Sequence, residues 1–304
     1  MFRNKKKEIV KEHDLRLESQ IGEETTFRDL LLQMARENKA ALISAVVILL
    51  FFLAAIFAPL LSRYGFAEMD LRHRLSPPSV EHIFGTDEGG RDIFTRMLYG
   101  SRVSLMIGVV PTVLSLLLGT VLGILSGFAG GKIDALIMRL ADIMLALPSM
   151  LLAMVMMYML GDGLLNVFLT LTLVNWASVA RIVRSETLQL KKSEYVEAAR
   201  AIGVSTPAVL FRHILPNCIP TLIVLFTLNI PSSILTESSL SFLGLGVQPP
   251  NASWGLMINA GRQYLYDAPW LSFIPSAAIM LIVLAFNFLG DGLRDVLDPH
   301  QRNQ

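Results

Sequence analysis

Hydrophobic residues are concentrated in six long segments that are separated by polar stretches. The first, Ala40–Leu61, has 22 residues and no charged side chain, and as a helix it would be about 33 Å long, enough to cross a bilayer. The other five have similar length and composition: Val103–Leu125, Ala141–Leu160, Leu164–Ala180, Ile219–Leu240 and Leu271–Leu289. Because six such segments are not typical of a soluble domain, the pattern predicts an all-α membrane protein with six transmembrane helices.

Charge placement predicts the orientation of these helices. Only 17% of the residues are charged and the mean hydropathy is +0.54, whereas soluble domains have about 25% charged residues. With the N-terminus inside, the inner segments carry 19 of the 26 Lys and Arg residues and the outer segments carry seven. Since cytoplasmic loops are enriched in Lys and Arg, both termini are expected in the cytoplasm of a multi-pass inner (plasma) membrane protein. Residues 62–102 then form an extracytoplasmic loop before the core at 103–289, and residues 290–304 form a cytoplasmic tail.

The N-terminal segment, residues 1–39, is strongly charged and is not a cleavable signal sequence. It contains nine Lys or Arg and eight Asp or Glu residues before the first apolar segment begins. Its latter half has apolar residues at helical spacing, namely Phe27, Leu30, Leu31, Met34 and Ala35. This pattern favours an amphipathic helix in the membrane interface, with a small soluble helix packed on a partner as the alternative.

Small residues and prolines within the spans predict how the helices pack. Gly119, Gly123 and Gly127 recur every four residues, a spacing that lets two helix backbones approach closely, so we expect a packing seam there. Several prolines fall inside the proposed spans, among them Pro111, Pro148, Pro231 and Pro275. Each removes a backbone hydrogen bond that neighbouring helices or a cavity must replace, which favours a bundle around a pathway over independent anchors.

Sequence features of catalysis and of metal or nucleic-acid binding are missing. The net charge of +1 argues against nucleic acid as a partner, and the single cysteine, Cys218, excludes an internal disulfide and a thiolate metal cluster. The five histidines show no pair at metal-ligand spacing. Because no phosphate-binding loop or hydrolase motif occurs, we expect a chain that is not an enzyme and binds no cofactor or metal itself.

The longest inner loop, residues 181–217, predicts a compact helical knob. Ser193–Ile202 has the pattern of a short helix with Val196, Ala199 and Ile202 on one face, and Gly203 suits the left-handed turn that ends a helix. Thr206-Pro207 then predicts the N-cap and first turn of a second short helix, which Pro216 would stop.

The residues of this loop are specific. Glu197-Ala198-Ala199, Gly203 and, after nine further residues, His213-Ile214-Leu215-Pro216 resemble the EAA loop of ABC importer permeases, although isoleucine is usual where His213 stands. Other segments resemble the signatures of the dipeptide, oligopeptide and nickel class of these permeases, namely Phe84–Leu105, Leu240–Ile258, Ala268–Leu271 and Asn287–Pro299. Together with the spans, the resemblance covers roughly residues 40–299 in the expected order.

The resemblance implies a type I ABC importer permease-like bundle that imports di- or oligopeptides, or alternatively nickel chelates. Its partners would be a second permease chain, one or two ATP-binding subunits that bind ATP and Mg, an extracytoplasmic solute-binding protein and membrane lipid. In this family the loop carries a coupling helix that docks on the ATPase. The matching positions here are Glu197, Ala198, Ala199, Gly203, Leu215 and Pro216.

Candidates for the translocation pathway lie on the third and fifth spans. Met150, Met154 and Met157 are spaced i, i+4 and i+7 and so share one helical face, where thioethers could accommodate side chains of many shapes or could simply pack. Asn229 and Glu237 are the candidates on the fifth span. A secondary transporter driven by an ion gradient is the rival function, which the scarcity of ionisable residues at mid-bilayer disfavours.

The predicted orientation can be tested with reporter fusions. A fusion after Ser79 should report an extracytoplasmic position and a fusion after Gln304 a cytoplasmic one, because of the excess of Lys and Arg in the inner segments. Alkaline phosphatase and green fluorescent protein, which are active on opposite sides of the membrane, provide the measurement. An extracytoplasmic signal at Gln304 would contradict the six-span topology.

Overall fold

The structure is a computed structural model that describes residues 38–249 and 251–297, so the predicted interfacial helix within residues 1–39 and the end of the tail lie outside the described residues. Within the described ranges, eleven α-helices follow one another: α1 Lys39–Ile56, α2 Ala58–Leu61, α3 Ile93–Ala129, α4 Gly131–Ala146, α5 Ser149–Leu160, α6 Leu164–Leu190, α7 Glu194–Ala201, α8 Thr206–Val209, α9 Leu215–Phe242, α10 Trp254–Gly261 and α11 Trp270–Leu297. A π-helical turn, Leu210–Ile214, joins α8 to α9, and 3₁₀ turns occupy Leu71–His73 and Arg262–Tyr264.

The predicted set of apolar spans is confirmed in number but not in shape. Among the described residues, five helical segments are long and apolar enough to cross a membrane: α1, α3, α6, the continuous segment from α8 to α9, and α11. The pair α4 and α5 supplies a sixth crossing if the two are counted as one bent span.

The third span was predicted as a single helix over Ala141–Leu160, and this is wrong. The chain is helical in α4 and α5, but the two helices meet at an angle of 96°. The break lies at Leu147, which has an extended backbone with φ −95° and ψ 142°. Pro148 explains it, because a proline disfavours helical geometry in the residue before it and cannot donate a backbone hydrogen bond.

Two helices extend well beyond their apolar segments. Helix α3 has 37 residues, about 55 Å, and begins ten residues before the predicted Val103. Helix α6 continues past Ala180 to Leu190, so the predicted 181–217 loop is shorter than expected. A polar side chain fixes the start of α3, where Asp92 accepts a hydrogen bond from the Thr95 amide at 2.7 Å and so caps the helix.

The predicted packing seam is present between α3 and α6. A Cβ atom added to Gly119 would lie 2.6 Å from the Val179 Cβ, and one added to Gly123 would lie 2.7 Å from the Ala180 carbonyl oxygen. A Cβ at Gly127 would lie 2.8 Å from the Thr187 Cβ. Since real Cβ atoms do not approach other atoms this closely, the two backbones touch only because these positions are glycine.

The outer surface of the helices remains strongly apolar. Helix α1 packs on α11, where Ala41 is fully buried, yet its other faces expose many large side chains, including Leu42, Ile43, Val46, Leu49, Leu50 and Ile56. A monomeric soluble protein does not expose apolar surface over a whole helix, whereas a membrane helix must. This surface places the bundle in lipid.

The seam gives a direct test of stability. Gly123→Ala should lower the free energy of unfolding by about 1–3 kcal/mol, the usual cost of overpacking, although alanine favours a helix over glycine by roughly 0.5–1 kcal/mol. Gly100→Ala, also in α3, is the matched control because its added Cβ would lie 3.4 Å from the nearest side-chain atom, an ordinary contact. Thermal melting in detergent should show a lower midpoint for Gly123→Ala alone, and equal midpoints would contradict the seam.

Candidate functional site

The predicted helical knob is present but occupies only residues 191–214, between the end of α6 and the start of α9. Ser193 precedes α7, and its hydroxyl donates a hydrogen bond to the Leu190 carbonyl at 2.7 Å. Ser205, one residue earlier than the predicted Thr206, precedes α8. The knob packs through a small core that contains Val196, Val209, Ile214 and Cys218 from the knob and α9, together with Val183 of α6.

Gly203 ends α7 as predicted. Its backbone has φ +84°, in the left-handed region that favours glycine. The Val204 amide donates to the Ala199 carbonyl at 3.0 Å and the Gly203 amide donates to the Arg200 carbonyl at 3.0 Å. This pair of bonds is the Schellman motif, which satisfies the last carbonyls of the helix and reverses the chain direction.

Helix α7 presents a polar outer face and an apolar inner one. Val196 and Ala199 are buried, whereas Glu197 and Ala198 are exposed. Ile202 was predicted to share a face with Val196 and Ala199, and this is wrong because Ile202 is 82% exposed while the other two are buried. The reason is the helical period, since a residue six positions after Val196 lies about 120° around the helix axis from it. Together with Phe211, 68% exposed, Ile202 adds apolar area to the outer surface.

Leu215 and Pro216 do not stop a helix, contrary to the prediction. They begin α9, and the helical path continues from Thr206 to Phe242. The π-helical turn over Leu210–Ile214 widens the backbone just before the proline. Pro216 therefore falls in the first turn of α9, where a missing amide donor costs little. The knob is consequently joined without a break to the fifth span.

Glu237 anchors the loop that follows α9. Its side chain is fully buried and accepts hydrogen bonds from the hydroxyls of Ser241 at 2.6 Å and Ser253 at 2.9 Å. These hydroxyls in turn accept from backbone amides, Ser241 from Val247 and Ser253 from Leu256, so Ser253 caps α10. Glu237 was predicted to line a pathway, but in this chain it orients two hydroxyls inside the protein.

The three methionines of the third span pack within the chain. Met157 is 2% exposed, and its sulfur accepts a hydrogen bond from the Thr170 hydroxyl at 3.4 Å. Met150 and Met154 are partly buried against the same apolar cluster, which includes residues of α3, α6 and α9. These contacts favour the packing alternative for Met157, while the pathway role of the set stays a prediction.

Asn229 is half-buried on α9, and its side-chain amide donates to the Leu225 carbonyl at 2.8 Å. The structure thus places the coupling candidates together on the knob and at the start of α9. It does not bring the pathway candidates onto one open surface, since Glu237 and Met157 are enclosed by their own chain.

One polar feature was not predicted from the sequence, namely a network of hydrogen bonds around Asp87 and Asp92 just before α3. The Asp87 carboxylate accepts from the Gly89 amide at 2.8 Å and from the Arg91 Nε at 2.7 Å, and Asp92 also binds the His82 ring at 2.9 Å. Gly90 has φ +70° and passes so close to the Asp70 backbone that a Cβ would lie 1.8 Å from its carbonyl oxygen. The acidic and glycine-rich composition of residues 84–92 was the available signal.

Comparison with known proteins gives two family profiles. Residues 119–303 match the family described as binding-protein-dependent transport system inner membrane component. Residues 26–78 match the N-terminal TM domain of oligopeptide transport permease C.

Relatives align over nearly the whole chain. The oligopeptide transport system permease protein OppC of Bacillus subtilis is 45% identical over 276 residues, covering 91% of this chain and 90% of that protein. The dipeptide transport system permease protein DppC of Alkalihalophilus pseudofirmus is 45% identical and covers 88% of each chain. OppC of Escherichia coli is 42% identical, covering 87% and 88%.

A solved structure shares the fold. A chain of the inward-facing MetNI methionine ABC transporter superposes with a TM-score of 0.55 at 19% identity. The match covers 67% of this chain and 96% of that one.

The anchor role of Glu237 predicts a difference between two substitutions. Glu237→Ala should lower the free energy of unfolding by about 2–4 kcal/mol, because it leaves a cavity and removes the acceptor of two buried hydroxyls. Glu237→Gln keeps one acceptor oxygen and the side-chain volume, so it should melt close to the unchanged chain. A melting curve in detergent that shows equal loss for both, or none for alanine, would contradict the anchor.

Proposed function

The chain belongs to the family of binding-protein-dependent transport system inner membrane components, and on this premise we propose that it is the permease subunit of an ATP-driven peptide importer. The observation that carries the proposal is the 45% identity, over 91% of the chain, with an oligopeptide permease. The knob formed by residues 191–214 also supports it, because Ile202 and Phe211 leave exposed apolar area beside the polar outer face of α7.

Peptides are the substrate class that the relatives favour. The proteins of Bacillus subtilis and Alkalihalophilus pseudofirmus are named for oligopeptide and dipeptide transport respectively. Nickel chelates, the alternative raised by the sequence, have no comparable support among these names. An ion-gradient-driven transporter is also disfavoured, since the family is one of binding-protein-dependent systems.

The exposed face of α7 is the proposed contact with an ATP-binding subunit. Glu197 and Ala198 lie at its centre, and Ile202 and Phe211 flank it with exposed apolar area. The exposed small and apolar side chains of this surface, Ala198, Ile202 and Phe211, would fit a groove on a partner, as in other helix-in-groove contacts. ATP and Mg would be bound and hydrolysed entirely on that partner, and this chain would supply no catalytic group.

The knob is joined directly to two membrane-spanning helices, so its movement would displace them. Helix α6 leads directly into the knob, and the path from α8 through the π-helical turn leads into α9 without interruption. Closure of the ATPase subunits would therefore displace the inner ends of two spans at once, as in rigid-body switching of packed helices. Exposure of a peptide pathway would alternate between the two sides of the membrane.

The remaining partners follow from the same proposal. A second permease chain would complete the pathway, and an extracytoplasmic solute-binding protein would deliver the peptide to the side opposite the knob. Both termini would then be cytoplasmic, on the knob side, as the Lys and Arg distribution predicts.

Reconstitution tests the proposal directly. The chain is co-expressed with a second permease, ATPase subunits and a binding protein from the same organism, and the purified complex is placed in liposomes. We expect peptide uptake only when ATP is supplied on the ATPase side and the binding protein on the other. Uptake that follows an imposed ion gradient without ATP would overturn the proposal.

The turn at Gly203 should be required for coupling. Gly203→Val forces a branched side chain into a left-handed backbone at a cost of about 1–2 kcal/mol, so the knob is displaced while the spans still insert. We expect normal abundance in the membrane, weaker retention of the ATPase on purification and loss of uptake.

Gly203→Asn is the matched control, because asparagine adopts the left-handed region most readily among residues with a side chain. It should retain most of the uptake. Equal uptake by the valine variant and the unchanged chain would refute the role of the knob.

A further inference from the structure

Phe128 lies where the knob meets the end of α3. It is the second-last residue of that helix and packs at the edge of the apolar cluster shared by α3, α6 and the knob. Phe128 is only partly buried, so part of its side chain remains accessible to groups from the neighbouring elements.

Lys191 contacts Phe128 in two ways. Its ammonium nitrogen lies 5.3 Å from the centre of the Phe128 ring and donates a hydrogen bond to the Phe128 carbonyl at 2.6 Å. That carbonyl belongs to the last turn of α3 and so has no partner within its own helix. A lysine at this position also stabilises the negative end of the helix dipole. Because Lys191 is the C-cap residue of α6, the two helix ends are fastened together.

Arg200 extends the contact to α7. Its guanidinium carbon lies 4.9 Å from the centre of the same ring, within the range of a cation–π interaction. Arg200 is in the last turn of α7, directly before the Gly203 turn. The Phe128 ring is therefore held by one cation from α6 and one from the proposed ATPase-docking helix.

The end of α3 leads into the bent span through a sharp corner. Gly130 and Gly131 have φ +67° and +56°, and no atom outside the corner lies within 4 Å of an added Cβ. Helix α4, which follows, is tied to α6 by an ion pair between Asp134 and Arg184, 2.5 Å apart. Because α4 follows α3 directly and is also held to α6, displacement of the end of α3 would reach α4 and, beyond the 96° bend, α5.

We propose that Phe128 is a positioning residue for transport, which holds the docking helix α7 on the end of α3 so that ATP-driven displacement of the knob reaches the bent span. The inference rests on the proposed function, because it requires an ATPase docked on α7. The aromatic ring is the essential feature, since an aliphatic side chain of similar size would fill the space without attracting the two cations.

A labelling experiment on the reconstituted complex tests the inference without depending on the substrate. Met159, 79% exposed near the end of α5, is replaced by cysteine and its reaction rate with a maleimide is measured with and without ATP. The native Cys218 is buried, and its background is measured in the chain without Met159→Cys.

The aromatic and aliphatic variants of Phe128 should differ in how strongly ATP changes the labelling rate. ATP should change the labelling rate of Met159→Cys when Phe128 is present, and also when Phe128→Tyr, which keeps the ring, is added. In Phe128→Leu the ATP-dependent change should fall about fivefold or more, the factor expected from loss of two cation–π contacts, while ATP hydrolysis continues. Arg200→Gln, which alters only the exposed side of the contact, should give a smaller loss in the same direction.

Matched controls separate this role from simple packing. Phe288→Leu, at a half-exposed phenylalanine of α11, should leave the ATP response unchanged. A full response in Phe128→Leu, no rescue by tyrosine, or no response in the unchanged chain would overturn the inference. If peptide uptake fails while the labelling response persists, the peptide assignment fails and the positioning role of Phe128 stands.

Discussion

The direct backbone contact between α3 and α6 is the constraint on which the rest of the structure depends. Three glycines at four-residue spacing remove the side chains that would hold these helices apart, and residues of α6 from Trp176 to Thr187 fill the space. Between membrane helices there is little hydrophobic driving force, so close packing of this kind supplies the attraction. The seam fixes the end of α6, and therefore fixes where the knob begins.

Polar groups set the geometry where the apolar surfaces end. Asp87 and Asp92 organise the entry to α3, and Glu237 orients the hydroxyls that cap α10. At the other end, the partly buried Asp134 holds α4 against Arg184 of α6, and an exposed ion pair joins Asp142 to Arg181. Buried or partly buried carboxylates are costly unless they are paired, so each has a single favourable arrangement. Since these internal polar contacts define how the helices are arranged, the outward-facing residues need no polar groups and can be apolar.

Sequence reasoning predicted much of this architecture because the deciding signals are local. Span composition, the Gly203 turn and the glycine spacing of α3 all depend on the properties of neighbouring residues in the chain. The failures came from long-range contacts. Helix α6 extends beyond its apolar segment, where Arg181 and Arg184 form ion pairs with carboxylates of α4. Pro216 is tolerated within a helical path because a π-helical turn precedes it. Glu237 was assigned to a pathway because its serine partners, Ser241 and Ser253, were not recognised as such.

The central claim is that α3 and α6, whose inner end leads into the knob, move as one rigid unit. Pulsed electron–electron double resonance can measure the distance between spin labels at Leu117 of α3 and Gln189 of α6, both of which are exposed. The measurement is made in the assembled complex with and without ATP. The account predicts the same distance distribution in both states, under conditions in which ATP alters the labelling of α5. A shift of several ångströms, on the order of one helical turn, would show that the helices slide along the seam and would contradict it.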